Sequence, residues 1–251
     1  DARGHGESQW AGDGDYSLGV LARDVAELLE LLGADDGVAP IHLVGASLGG
    51  LTSILLLGEV APGLAASLVL VDVVPEFEKA GGERIKEFMV ANLHHGFGSL
   101  EEVAAAIAEY NPHRPPPKDL NGLKKNLRER DGRWYWHWDP VFVHGGRDVS
   151  QNEINDHARM MDAARAIDVP MLLVRGRSSD LVTEDTARVR VPALATRVRR
   201  PLPRIRHGSC TTSCMQACAH PGGAGRRAGH PQRTLRKQHG GFRCPLIVVL
   251  H

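Results

Sequence analysis

The sequence predicts an α/β fold, a mostly parallel sheet flanked by helices, and three observations carry that expectation. Two short apolar runs, Ile41-His42-Leu43-Val44 and Leu68-Val69-Leu70-Val71-Asp72-Val73-Val74, have the length of strands rather than helices. Between them Leu51 to Leu57 reads as an apolar helix, so the three together form a βαβ unit with parallel strands. The same buried-strand pattern then returns at Val169-Pro170-Met171-Leu172-Leu173-Val174, after a long stretch of different character.

Taken in order, residues 1–16 are rich in Gly, Asp and Ser and predict a loop. Ser17 is an N-cap for an amphipathic helix: Leu18, Leu21, Val25, Leu28, Leu29 and Leu32 recur at helical spacing, with Arg23, Asp24, Glu27 and Glu30 between them and Gly33 at the end. Pro40 and Gly45 bound the first strand, and Pro75 stops the second. Residues 76–168 predict a mostly helical cap. It has helical stretches around Arg84–Leu93, Leu100–Tyr110 and Lys124–Arg130, a Pro-rich break at Pro112–Pro117, and the aromatic run Trp134-Tyr135-Trp136-His137-Trp138. The expected organisation is therefore a core segment at 1–75, a cap at 76–168, a core strand at 169–188 and an atypical tail at 189–251.

Composition narrows the class. A chain of 251 residues with 42% hydrophobic content can bury a sizeable core. The 30 Lys/Arg and 30 Asp/Glu cancel overall, yet residues 186–251 contain no acidic residue, so an acidic body precedes a basic tail. All four cysteines, Cys210, Cys214, Cys218 and Cys244, lie in that tail. The body needs no disulfide, which points to a reducing compartment and hence the cytoplasm. No apolar run approaches the roughly 20 residues that cross a bilayer, and Leu246 to Leu250 is only strand-sized, so no membrane partner is expected. The spacing of Cys210, Cys214, Cys218 and His220 is not that of a zinc site, and no metal is expected. The tail has Phe242 as its lone aromatic and no recognition motif, so nucleic acid is not an expected partner either.

The chemistry centres on Gly45-Ala46-Ser47-Leu48-Gly49, a G-x-S-x-G set between a predicted strand and a predicted helix. A nucleophilic serine must project its hydroxyl clear of the sheet, and a tight strand-to-helix turn does this only where small residues let strand and helix approach. Gly45, Gly49 and Gly50 meet that need. The turn also puts the Leu48 N–H at a helix start, where it can donate to a developing oxyanion. An acid that orients a catalytic base must stand at the mouth of a nearby strand. Asp180 and Asp72 both follow predicted strands.

Asp1-Ala2-Arg3-Gly4-His5-Gly6-Glu7-Ser8, the elbow, the strand end Leu70-Val71-Asp72 and Gly176-Arg177-Ser178-Ser179-Asp180 occur in the order and spacing of the α/β-hydrolase superfamily. The chain resembles in particular its cofactor-free haloperoxidase and esterase-like branch with a helical cap, over residues 1 to about 188. The resemblance implies a Ser-His-acid triad acting without metal or organic cofactor on a small ester, lactone or related carbonyl compound. Ser47 is the implied nucleophile, Leu48 an oxyanion donor and Asp180 the acid, with Asp72 the alternative. It implies a base a little under thirty residues past the acid, and His207 lies 27 residues past Asp180. Perhydrolase or haloperoxidase chemistry on the same triad is the alternative activity, and a catalytically inactive fragment is the alternative outside catalysis. By the same resemblance the family's first three strands, with the second oxyanion donor, would precede Asp1. The change in composition after about Thr186 resembles translation in another reading frame.

Overall fold

The computed structural model describes residues 1–32, 40–112, 119–144, 156–188 and 246–250. Along the chain run α1 (Leu18–Leu31), β1 (Ile41–Ala46), α2 (Leu48–Leu55) continued by a π turn (Leu56–Val60), and β2 (Ser67–Val71). Then follow α3 (Lys79–Ala91), α4 (Leu100–Tyr110), a 3₁₀ helix (Leu120–Asn126), β3 (Leu127–Arg130), β4 (Arg133–Trp136) and α5 (Val141–His144). The last elements are α6 (His157–Ala166), β5 (Met171–Val174) and β6 (Leu246–Leu250).

The sheet is parallel, in the order β5-β2-β1-β6. Its register puts Leu43 beside Leu68 and Val248, and Leu68 beside Met171. These side chains therefore share one face, and that face meets α1, α2 and α6 in a single core. Ser17 caps α1 by accepting from the Val20 N–H at 3.4 Å; of the expected apolar stripe Leu18, Leu21 and Leu29 turn inward, joined by Ala22 and Ala26, whereas Leu28 and Leu32 are exposed. Every residue of α2 from Gly49 onward is buried, because α1 and α6 flank it. Gly58 in the π turn lies against the Ala163 backbone of α6, where a Cβ would overlap it. On the other sheet face His42 and Val44 are only half-buried and Val249 is exposed. Strands read as fully buried are thus covered on one side by the described residues. β6 completes the sheet edge with the strand-sized run Leu246–Leu250; the remaining tail, 189–245, lies outside the described residues.

The segment after β2 has its own small core of Phe97, Val103 and Leu127, packed by Leu100, Ile107, Trp134 and Trp136. It is not wholly helical. The stretch Lys124–Arg130, expected as helix, divides between the 3₁₀ helix and β3, which pairs antiparallel with β4. The reason is Asp131-Gly132: both residues stand at positive φ, 51° and 73°, as a two-residue type I′ hairpin requires. Among the described residues no helix is long and apolar enough to cross a membrane.

A hydrogen-bonded clasp ties the opening loop to the segment after β4. Gly6 N–H donates to the His137 carbonyl at 2.8 Å and Asp139 N–H to the Gly4 carbonyl at 2.7 Å. Beside them the Tyr16 hydroxyl donates to Asp139 Oδ2 at 2.5 Å, with both residues buried. Burial, reinforced by that carboxylate, pushes the Tyr16 phenol up from 10.0 to about 12. A folded pKa raised above the unfolded one contributes stability that is complete below pH 10 and is lost as pH rises through 12. Tyr16→Phe is therefore expected to lower stability by about 2 kcal/mol at neutral pH. Chemical denaturation of both proteins from neutral pH towards pH 12 should show the difference shrinking above pH 10. A difference independent of pH would place the effect of the substitution elsewhere.

Candidate active site

At the end of β1 the backbone passes so close to α2 that a Cβ on Gly45 would stand 2.6 Å from the Gly49 carbonyl oxygen and from the Gly50 Cα. A Cβ on Gly49 would overlap the Leu250 carbonyl. The turn between them forces Ser47 to φ 46°, ψ −119°, a conformation that a side-chain-bearing residue avoids unless its surroundings impose it. Backbone bonds hold it there: Ser47 N–H donates to the Val71 carbonyl at 3.3 Å, and its own carbonyl accepts from Gly50 at 2.9 Å and Leu51 at 3.1 Å. The Ser47 side chain makes no cap bond to α2. Leu48 is the first residue of α2, so its N–H has no intrahelical acceptor and lies at the positive end of the helix dipole.

Ser47, Leu48 and Leu51 border a cavity of about 1700 Å³. Ile85 and Met89 of α3, Trp136, Trp138 and Phe142 of the cap, Val73 and Phe77 after β2, and Leu181 give it a largely apolar wall. Val248 to Leu250 of β6 line it as well.

The other site residues expected from sequence fall as follows. Asp72 ends β2 beside the elbow. It stands at φ 56°, its N–H donates to the Val174 carbonyl at 2.8 Å, and its Oδ1 accepts from the Gly176 N–H at 2.8 Å. It thus stitches the ends of β2 and β5 together. Asp180 lies in the loop after β5, with Oδ2 at 3.2 Å from Arg84 Nε of α3. Because β1, β2 and β5 are neighbours and parallel, Ser47, Asp72 and the Asp180 loop all sit at the carboxyl edge of the sheet. His207 lies outside the described residues.

Three histidines that the sequence did not single out as functional line the cavity: His5, His137 and His157. His5 Nδ1 lies 3.1 Å from the Arg3 carbonyl, and its ring meets Phe142 edge-on at 5.0 Å. Burial lowers its pKa, the Arg3 carbonyl works against that, and the neighbouring His137 lowers it further. His137 is lowered too, by desolvation first and then by the Arg128 cation. His157 Nδ1 is 3.3 Å from the Pro75 carbonyl. None of these bonds runs to Ser47. Only the placement of His5 and His137 in the predicted opening loop and aromatic run could have drawn attention to them. Among the described residues no cluster of three or more His, Cys, Asp or Glu side chains could hold a metal ion.

The fold recurs in known proteins. Residues 1–222 match the alpha/beta hydrolase family. The chain belongs to that family. An esterase of Mycobacterium tuberculosis is 36% identical over 195 residues, 74% of this chain and 60% of the relative. A 3-hydroxybutyrate-oligomer hydrolase of Cupriavidus necator is 27% identical over 195 residues, 74% of this chain and 64% of that protein. A solved structure of an M. tuberculosis esterase superposes with TM-score 0.57 at 33% identity, covering 79% of this chain and 65% of the other. An E-2-(acetamidomethylene)succinate hydrolase shares the fold with TM-score 0.65 at 23% identity, covering 79% and 69%. This α/β hydrolase chain thus spans about 60% of the length of the curated relative first named.

The stitch made by Asp72 has a direct test. Asparagine tolerates positive φ and keeps an oxygen for the Gly176 N–H, whereas alanine keeps neither advantage. Asp72→Asn is expected to change stability by less than about 0.5 kcal/mol and Asp72→Ala to lower it by about 1–2 kcal/mol, measured by urea unfolding. Equal losses in the two variants would mean that the carboxylate charge, rather than the bond, matters.

Proposed function

We propose that the chain carries the core of a serine hydrolase acting on a small ester, lactone or similar carbonyl compound. The observation that carries this reading is Ser47: a serine held at positive φ between a strand and a buried helix, at the wall of a large apolar cavity. Two relatives bearing the names esterase and oligomer hydrolase support it.

In this mechanism Ser47 Oγ attacks the substrate carbonyl while a histidine takes its proton, and the oxyanion accepts from the Leu48 N–H. The histidine then protonates the leaving group, and water, deprotonated by the same ring, releases the acid. His207 is the proposed base. Asp180 is the proposed acid that holds the imidazole in the tautomer with its free nitrogen towards Ser47. Asp72, whose Oδ1 accepts from the Gly176 N–H, is the alternative acid. The apolar wall suits an acyl or aromatic group. The same acyl-enzyme would yield a peracid if peroxide intercepted it in place of water. Peroxide-dependent halogenation abolished in Ser47→Ala is the measurement that separates this activity from simple hydrolysis.

Nitrophenyl ester turnover and covalent labelling by a fluorophosphonate test the assignment. Ser47→Ala is expected to abolish labelling, and Asp180→Asn to lower kcat by about 10³–10⁴-fold. Asp72→Asn should stay within about tenfold of the parent. Folded protein that takes no label would make this chain a non-catalytic fragment, and a loss on Asp72→Asn matching that on Asp180→Asn would transfer the acid's role.

A further inference from the structure

The first helix of the cap is fastened to the loop that carries Asp180, and the fastening involves more than one residue. Glu78, at the N-cap of α3, donates its N–H to the Leu181 carbonyl at 2.9 Å. Its carboxylate accepts from the Thr183 hydroxyl at 3.1 Å and from the Thr186 hydroxyl. Gly81 is buried against the same loop, where a Cβ would overlap the Asp180 carbonyl. One turn further on, Arg84 Nε reaches Asp180 Oδ2 at 3.2 Å.

Arg84 is itself held from behind. Its Nη2 donates to the Tyr110 carbonyl at 3.2 Å, and its guanidinium lies 4.8 Å from the centre of the Tyr110 ring. Tyr110 stacks on Phe88 at 4.5 Å, and Phe88 meets Trp136 at 5.7 Å. A half-exposed ion pair contributes little to stability by itself. Its consequence here is positional: a guanidinium anchored on α4 keeps its positive charge on the Oδ2 side of the Asp180 carboxylate.

We propose that Arg84 is a positioning residue for the catalytic acid: it holds Asp180 Oδ2 and leaves Oδ1 to accept the N–H of the catalytic histidine. The inference rests on Asp180 being that acid. A carboxylate has lone pairs enough for both donors. The packing of α3, α4 and the β3-β4 hairpin then sets the orientation of the acid, so a change in the cap is felt in the chemistry as well as in substrate binding.

The test is nitrophenyl ester kinetics and the rate of fluorophosphonate labelling of Ser47 in the full chain, for Arg84→Ala, Arg84→Lys, Arg84→Gln and Asp180→Asn. Arg84→Ala is expected to lower kcat and the labelling rate together by about tenfold to a hundredfold, with KM within about twofold of the parent. Arg84→Lys should recover part of the loss, and added methylguanidinium should raise kcat of Arg84→Ala but not of the parent. If Arg84→Ala does not fold, Arg84→Gln carries the same expectation. Parent-like kcat in these variants, a change confined to KM, or no rescue by either lysine or methylguanidinium overturns the proposal. Loss of turnover in Asp180→Asn with none in the Arg84 variants rejects Arg84 alone, whereas parent-like turnover in Asp180→Asn removes the reading beneath it.

Discussion

The close approach of β1 to α2 is the constraint on which the rest depends. Gly45 passes against the backbone of Gly49 and Gly50, Gly49 meets the Leu250 backbone of β6, and Gly50 meets the Val73 side chain, so none of the three has room for a side chain of its own. The conformation this imposes on Ser47 is costly and would relax if α2 could retreat. It cannot, because Leu51, Ile54, Leu55, Leu56 and Leu57 are buried between the sheet, α1 and α6. Withdrawing such side chains from the core costs roughly 1.5–3 kcal/mol each, more than the strain at a single residue. The apolar core, remote from the chemistry, is therefore what keeps Ser47 at the cavity wall.

The cavity itself follows from the existence of two cores. One cluster gathers Phe97, Val103 and Leu127 from the segment after β2, and the other gathers the leucines of α1, α2 and the sheet. Among the described residues, Trp136 and Met89 line one cavity together with Leu48 and Leu51. Two separate ties span the division. One is the opening loop, held by Tyr16 and Asp139, and the other is the Glu78–Arg84 segment on the loop after β5. Both ties combine backbone bonds with polar side-chain contacts, so they hold the segment after β2 to the rest of the chain.

Features that depend on local chemistry were legible in the sequence. The elbow, the Ser17 cap, the βαβ succession and the helix Leu100–Tyr110 rest on residues a few positions apart, and each appears where its pattern put it. The hairpin at Asp131-Gly132 was equally local, and its dipeptide is a strong turn signal, but the neighbouring lysines and arginines resemble a solvated helix and masked it. The helix α6 also went unread, although Asp156 caps it and Met160, Met161, Ala163 and Ala164 face inward. What no local pattern encodes is pairing across the chain. Tyr16 with Asp139, Arg84 with Asp180, and β6 with β1 join residues whose types are ordinary and whose partners are set by topology alone.

The two candidate acids show how topology divides similar residues between different tasks. Both follow adjacent parallel strands, and the sequence offered Asp180 as the acid with Asp72 as the alternative. Asp72 leaves its strand at φ 56°, which turns its carboxylate sideways onto the Gly176 N–H. That bond closes the gap between β2 and β5 and starts the loop leading to Asp180. Asp180 comes four residues later, clear of the strand ends, where its carboxylate meets a side chain instead of backbone. Either carboxylate keeps a second oxygen for a further donor, so the two differ in the partner that holds them and in their place along the chain. Asp72 thereby fixes the start of the loop on which Asp180 stands, the loop from which the proposed acid would act.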